Sequence, residues 1–208
     1  MRLKKVKGAR DKIENSNYSV NLDNINNNES LFDNSNPIHV EIGTGKGRYI
    51  YTLAKQNPNI NYVGIEMFDS VIVRAIEKFE EDNINNIKFI RCDAFLLGEK
   101  FENYFDQIYL NFSDPWPKTR HAKRRLTSPR FLNLYRKLLK KNCFLTFKTD
   151  NTKLFEYSVL TMNNFGCSIN KFSIDLHNSE YNKDNIRTEY EDKFSKLGEK
   201  IKLIEISF

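Results

Sequence analysis

From Pro37 onward the chain alternates between two hydrophobic periods. Short apolar runs at Ile38–Ile42, Tyr62–Glu66, Ile87–Cys92, Phe105–Leu110, Cys143–Lys148, Cys167–Asp175 and Ile201–Phe208 read as strands. Arg48–Gln56, Asp69–Asp82, Pro129–Lys140 and Thr152–Asn164 carry apolar residues at helical spacing. In Asp69–Asp82 the stripe consists of Val71, Ile72, Ala75, Ile76 and Phe79. Strands alternating with helices predict an α/β fold: an open, mainly parallel sheet with helices on both faces.

Before Pro37 neither period holds. Met1–Lys12 is a basic arm, either a solvated tail or an arm that orders on nucleic acid. Asn15–Asn36 is rich in Asn, Ser and Asp, forms helix or strand poorly and reads as a surface segment. The expected organisation is an arm and surface segment over 1–36 and a single domain over 37–208.

Open sheets of this kind hold ligands beyond the carboxyl ends of their strands. Acidic residues recur at those ends: Glu41, Glu66, Asp93, Asp114 and Asp150. Any one could instead cap a helix, a reading that stays open for Asp93 and Asp150. After the first strand, Glu41-Ile-Gly-Thr-Gly-Lys-Gly sets Gly43, Gly45 and Gly47 in a strand-to-helix turn, where a ligand can approach the backbone. Arg48 stands where a dinucleotide fingerprint has its third glycine. Glu41 would repel a pyrophosphate and attract the ammonium of an amino-acid-bearing cofactor, which favours S-adenosylmethionine. Glu66 lies at the distance where a carboxylate accepts ribose hydroxyls, and Asp93-Ala94 lies where a side chain and an amide could hold an adenine edge.

The fourth strand leads into Asn-Phe-Ser-Asp114-Pro-Trp116-Pro-Lys118-Thr-Arg120-His121-Ala-Lys123-Arg124-Arg125. Two prolines restrict themselves and the residues before them, so Asp114 and Trp116 are expected in a stiff, extended loop. The six basic residues that follow call for an anion, and a nucleic-acid backbone would supply one. Trp116 either stacks on a base or packs on the sheet. His121 pairs with phosphate or bonds within its loop, while His39 and His177 read as structural.

Composition changes this picture little. The 208 residues hold 33 basic and 27 acidic side chains, a charge of +6 that agrees with a polyanionic partner. Cys92, Cys143 and Cys167 have no CxxC spacing, so core thiols are expected and no metal site. No apolar run has the roughly 18 residues of a membrane span and no signal segment is visible, so a cytoplasmic location is expected.

Together, the glycine turn after Glu41, Gly64-Ile-Glu66, Asp93-Ala94, the Asp-Pro-Trp-Pro-Lys-x-Arg-His segment, Thr149-Asp150 and Thr188-Glu189-Tyr190-Glu191 closely resemble the bacterial tRNA (guanine-N7-)-methyltransferases. The first two elements are common to class I methyltransferases; the proline segment and the later Thr-x-Tyr-Glu are specific. The resemblance covers the chain from His39 on. It implies a Rossmann-like fold and methyl transfer from S-adenosylmethionine to N7 of a variable-loop guanine in tRNA. It further implies cofactor contacts at Glu41, Glu66, Asp93 and Asp114, a catalytic role for Asp114, tRNA contact along Arg120–Arg125, and substrate contact from Lys118, Asp150 and Thr188–Glu191. A monomer or a homodimer would serve, with no obligate protein partner. Asn178–Thr188 reads as a flap over the site. Rival readings are an amino-methyltransferase, a nucleic-acid-binding protein without catalysis, and, least favoured, a nicotinamide oxidoreductase.

Overall fold

The computed structural model describes residues 6–82 and 84–208. Two βα units and a third parallel strand build one half: β2 (Ile38–Ile42), α2 (Arg48–Gln56), β3 (Asn61–Glu66), α3 (Asp69–Asp82) and β4 (Ile87–Arg91). The other half holds β5 (Phe105–Asn111), α4 (Pro129–Leu138), β6 (Leu139–Thr149), α5 (Thr152–Asn164), β7 (Ser168–Ser173), α6 (Glu189–Ser195) and β8 (Lys202–Ser207). Preceding both are α1 (Ala9–Asn15) and β1 (Ser19–Val20). Among the described residues the sheet has eight strands in the order β1-β4-β3-β2-β5-β6-β8-β7. All pairings are parallel except those of β8 with β6 and β7. The expected mainly parallel α/β architecture is what the chain forms.

Two cores flank the sheet, because successive residues of a strand face opposite sides. Val40, Val63, Ile65, Ile108 and Phe147 pack with α4 and α5 through Leu132, Tyr135, Leu154 and Met162. Tyr62 and Phe89 pack on the other face with Ile50 and Ala54 of α2 and Ile72, Ile76 and Phe79 of α3. β3 is buried on both faces along its whole length, which accounts for its nearly unbroken apolar run.

Three local expectations need correction. The N-terminal arm, from Ala9, is neither tail nor loose: α1 buries Ala9 and Ile13 against α3, with Lys12 Nζ 2.7 Å from Glu77. Its first residues, Met1–Lys5, lie outside the described residues. The Asn-rich stretch is likewise more than surface. Ser19–Val20 extends the sheet beside β4, and Leu22, Ile25 and Phe32 enter the core, three scattered apolar residues whose spacing fits no regular period. Finally, the helix expected to end at Lys140 stops at Leu138. Leu139 already has extended backbone and pairs with Phe105, so β6 starts four residues earlier than its apolar run.

Candidate active site

The chain leaves β2 toward β3 on one side and returns to β5 on the other, so the switch point of the sheet lies between the carboxyl ends of β2 and β5. Glu41 of β2 stands there, 2 % exposed, and its two oxygens accept from Asn111 Nδ2 at 2.8 Å and Thr44 Oγ1 at 2.7 Å. Burial raises this carboxyl to about 7, with Asn111, Thr44 and Lys148 pulling the other way. A buried carboxyl on the verge of losing its proton is a ready counter-ion for a ligand cation.

The glycine turn wraps the same end. Gly43 and Gly45 have φ of +78° and +59°, and a Cβ on either would meet nothing within 4 Å, so the turn offers open backbone to a ligand. Gly47 serves packing instead. At its φ of +76° a Cβ would lie 2.8 Å from Ala75 Cβ, so this glycine lets α2 approach α3. Arg48 does not obstruct that approach, because it starts α2 and turns outward to Asp192 of α6 at 2.7 Å. The turn is fastened to β3 through Gly43 N and Thr44 N, which donate to Ile65 O, and through Gly45 N, which donates to Glu66 at 3.2 Å.

Glu66 also accepts from the amides of Met67 and Phe68. Burial pushes its carboxyl up, the three amides oppose this, and the charge of Asp114 adds to the upward push. Asp93 caps the 3-10 turn Ala94–Glu99 by accepting from Phe95 N, so the capping alternative holds for it; one carboxylate oxygen remains for a ligand. Asp150 accepts from Tyr190 Oη at 3.4 Å, while its carbonyl takes Lys202 Nζ; the cap of α5 is Asn151.

The proline loop departs from its expected form. Asp114 is exposed, but Phe112 and Trp116 have φ of +51° and +41°, left-handed values rather than extended ones. Such backbone costs on the order of 1–3 kcal/mol and is held by its surroundings. Phe112 N donates to Lys148 O, and Arg125 donates through Nε to Pro115 O at 3.1 Å and through a terminal nitrogen to Trp116 O at 3.0 Å. Arg125 also stacks on Tyr157, 4.2 Å from its ring. Arg124 covers Trp116 at 4.9 Å, and His121 meets the same indole edge-on. Lys118, Arg120, Lys123 and Arg124 are exposed around the 3-10 turn Thr119–Arg124. Ser113 Oγ, next to Asp114, is a buried hydroxyl without a partner among the described residues.

The Thr188–Glu191 group divides. Thr188 caps α6 through Glu191 N; Glu189 reaches toward Lys46 of the glycine turn at 3.8 Å. Tyr190 stays exposed, stacked on Phe194 at 4.0 Å and tilted against Phe112 at 5.0 Å. Glu191 is wholly buried, paired with Lys148 at 2.9 Å and with His177 at 2.8 Å. Burial pushes its carboxyl up, but Lys148, His177 and Asn185 outweigh that and hold it below its ordinary value.

Sequence reasoning passed over several residues of this region. Asn111 gives no separate signal inside its motif. Met67 and Phe68 are exposed apolar residues directly after the strand-end Glu66, and Phe95 is another in the turn that Asp93 caps; that placement was the available clue. Lys148 was visible as a lone charge in the run Phe-Leu-Thr-Phe-Lys-Thr.

The residues present fit an adenosyl amino-acid cofactor: an open glycine turn, a buried acid beside it, and acids at the next two strand ends. Among the described residues no group of His, Cys, Asp and Glu could hold a metal, and no helix is long and apolar enough to cross a membrane. Residues 35–204 match the family model "Putative methyltransferase". A tRNA (guanine-N(7)-)-methyltransferase of Listeria innocua is 48% identical over 100% of this chain and 99% of its own. Among solved structures, an antibiotic-related methyltransferase superposes with a TM-score of 0.60 at 21% identity, covering 88% of this chain and 98% of that one. A SAM-dependent methyltransferase from Aquifex aeolicus gives 0.56 at 14%, covering 82% and 81%. At such identities the two structures speak for the fold alone.

Proposed function

The chain belongs to the tRNA (guanine-N(7)-)-methyltransferases, which transfer the methyl group of S-adenosylmethionine to N7 of a guanine in tRNA, and on that premise we propose that the guanine is one of the variable loop and is received at Asp114. The observation that carries the reading is the placement of Glu41, Glu66 and Asp114 at the carboxyl ends of the adjacent strands β2, β3 and β5, beside a loop whose exposed cations have no acidic partner among the described residues.

When bound, S-adenosylmethionine would supply an electrophilic sulfonium methyl that the N7 lone pair could accept, with the sulfur as leaving group. N7 carries no proton, so the site needs no base to free the nucleophile. Asp114 serves as a positioner: its carboxylate accepts from guanine N1–H and N2–H and offsets the positive charge that develops on the ring. Glu41 would hold the cofactor ammonium, Glu66 the ribose hydroxyls and Asp93 with the Ala94 amide the adenine edge, with Met67, Phe68 and Phe95 as apolar walls. Gly43 and Gly45 leave the room.

Lys118, Arg120, Lys123 and Arg124 grip the RNA backbone, a contact that weakens as salt rises. Arg125, spent on the carbonyls of Pro115 and Trp116, holds the shape of the loop, and His121 supports Trp116. Tyr190, open on the substrate side and bonded to Asp150, offers a ring on which the base can stack. A guanine with N7 engaged inside folded tRNA has to swing out to reach these groups, at a few kcal/mol. Thr188 and Glu189 border its entry, and Glu191 sets the orientation of α6 from below. In-line alignment of N7, methyl and sulfur would then be the main source of rate, an effect worth up to ~7–11 kcal/mol.

Replacing Asp114 with Ala tests the reading. Methylation of a tRNA transcript is expected to be lost while the melting curve and S-adenosylmethionine binding persist; near-normal turnover would overturn the assignment.

A further inference from the structure

The roles given above leave one buried charge unused. Lys148 lies on β6 two residues before Asp150, its side chain 3 % exposed. Its ammonium donates to Asn185 Oδ1, to Ile186 O and to Glu191 Oε2, each at 2.9 Å. All three acceptors belong to the seven residues that lead into and start α6, with Thr188 between them. Glu191 also accepts from Asn185 Nδ2 at 2.7 Å and pairs with His177, so one ammonium and one carboxylate gather both ends of the segment expected to form a flap. On its outer side α6 meets the glycine turn through Glu189 with Lys46 and the start of α2 through Asp192 with Arg48. The field of Lys148 also reaches Glu41.

We propose that Lys148 is a positioning residue: its three hydrogen bonds pin the 178–188 flap and the start of α6 so that Thr188 and Tyr190 face Asp114 and Asp150. A buried ion pair gives little net stability by itself, because desolvation of both charges opposes their attraction. What the ammonium supplies is geometry, since its three N–H groups are each committed to a different point of the flap. A misplacement of about 1 Å far from the reacting atoms can cost on the order of a hundredfold in rate.

The inference rests on the methyl-transfer reading of this site, and the test separates the two. Wild type, Lys148→Met and Asn185→Ala would be compared by hydrogen exchange, by S-adenosylmethionine binding and by kcat/KM for tRNA. For Lys148→Met, exchange of residues 177–191 should speed at least about tenfold while β2 to β5 stay protected. Its kcat/KM for tRNA should fall by about 10- to 100-fold with cofactor affinity within about threefold. Asn185→Ala, which keeps the buried charge pair, should move both quantities in the same direction by less, and it decides the matter if Lys148→Met does not fold. An unchanged exchange rate in 177–191, or a loosened flap with kcat/KM within about twofold of wild type, would overturn the proposal. A wild type that methylates no tRNA would count against the methyl-transfer reading, while the exchange comparison would still report on the pinning.

Discussion

Asn111 donates a side-chain N–H to Glu41 Oε1 at 2.8 Å, joining the carboxyl ends of β5 and β2 across the point where the sheet reverses its winding order. The bond ties the strand that launches the Asp114 loop to the acid beside the glycine turn. It also fixes the orientation of a carboxyl that the fold holds near about 7, chiefly by burial.

A cationic ammonium beside Glu41 favours its ionised form, so cofactor binding near neutral pH releases a proton and tightens as pH rises through about 7. Titration calorimetry in two buffers of different ionisation enthalpy measures the release, and Glu41→Gln should abolish it. Stability moves the other way. The folded chain keeps a proton on Glu41 that the unfolded chain gives up above its ordinary 4.5, so the wild type should lose ground to Glu41→Gln as pH rises from 4.5 to about 7. A cofactor affinity independent of pH would contradict this placement of the ammonium.

Arg125 and its basic neighbours are expected to fail differently. Because Arg125 binds two backbone carbonyls in a fork, Arg125→Lys should lower kcat by about 10- to 100-fold with tRNA affinity little changed. If the substitution instead raised the KM for tRNA and left kcat alone, Arg125 would be a phosphate contact.

Lys118, Arg120, Lys123 and Arg124, each changed to Ala, should weaken tRNA binding and reduce the slope of log K against log salt by about 1 apiece. Filter binding at several salt concentrations measures it. Slopes equal to wild type would remove the loop from the RNA interface.

The glycines of the turn separate fold from ligand. Gly47→Ala puts a Cβ 2.8 Å from Ala75 in left-handed backbone and should cost about 1–3 kcal/mol of stability. Gly45→Ala, at φ +59° with open space around it, should cost only about 1–2 kcal/mol of stability but weaken cofactor binding severely, because the new methyl occupies the ligand's side. Thermal melts with and without cofactor distinguish the two. Equal behaviour of both variants would mean that the turn does not face the ligand.

The βα rhythm was legible because α3 carries a helical period and β3 is a short, nearly unbroken apolar run, and the strand-end acids followed from it. Legibility ended where tertiary context overrode the local signal. Leu22, Ile25 and Phe32 are held by the core without a period of their own, and Leu139 pairs with Phe105 although the residues after it, Lys140, Lys141 and Asn142, are polar. Trp116 adopts left-handed backbone before a proline because Arg125, nine residues later, holds its carbonyl. Thr188–Glu191 read as one motif, yet a helical turn sends Glu191 inward to Lys148 and leaves Tyr190 outward.

Each of these roles presupposes that the methyl group goes to N7 of one guanine. Labelled S-adenosylmethionine would be incubated with the enzyme and two tRNA transcripts, one natural and one with 7-deazaguanine at the variable-loop guanine. Label should enter the first and be absent from the second, where carbon replaces the nucleophilic nitrogen. Equal labelling of both transcripts would contradict N7 transfer and move the chemistry to another atom.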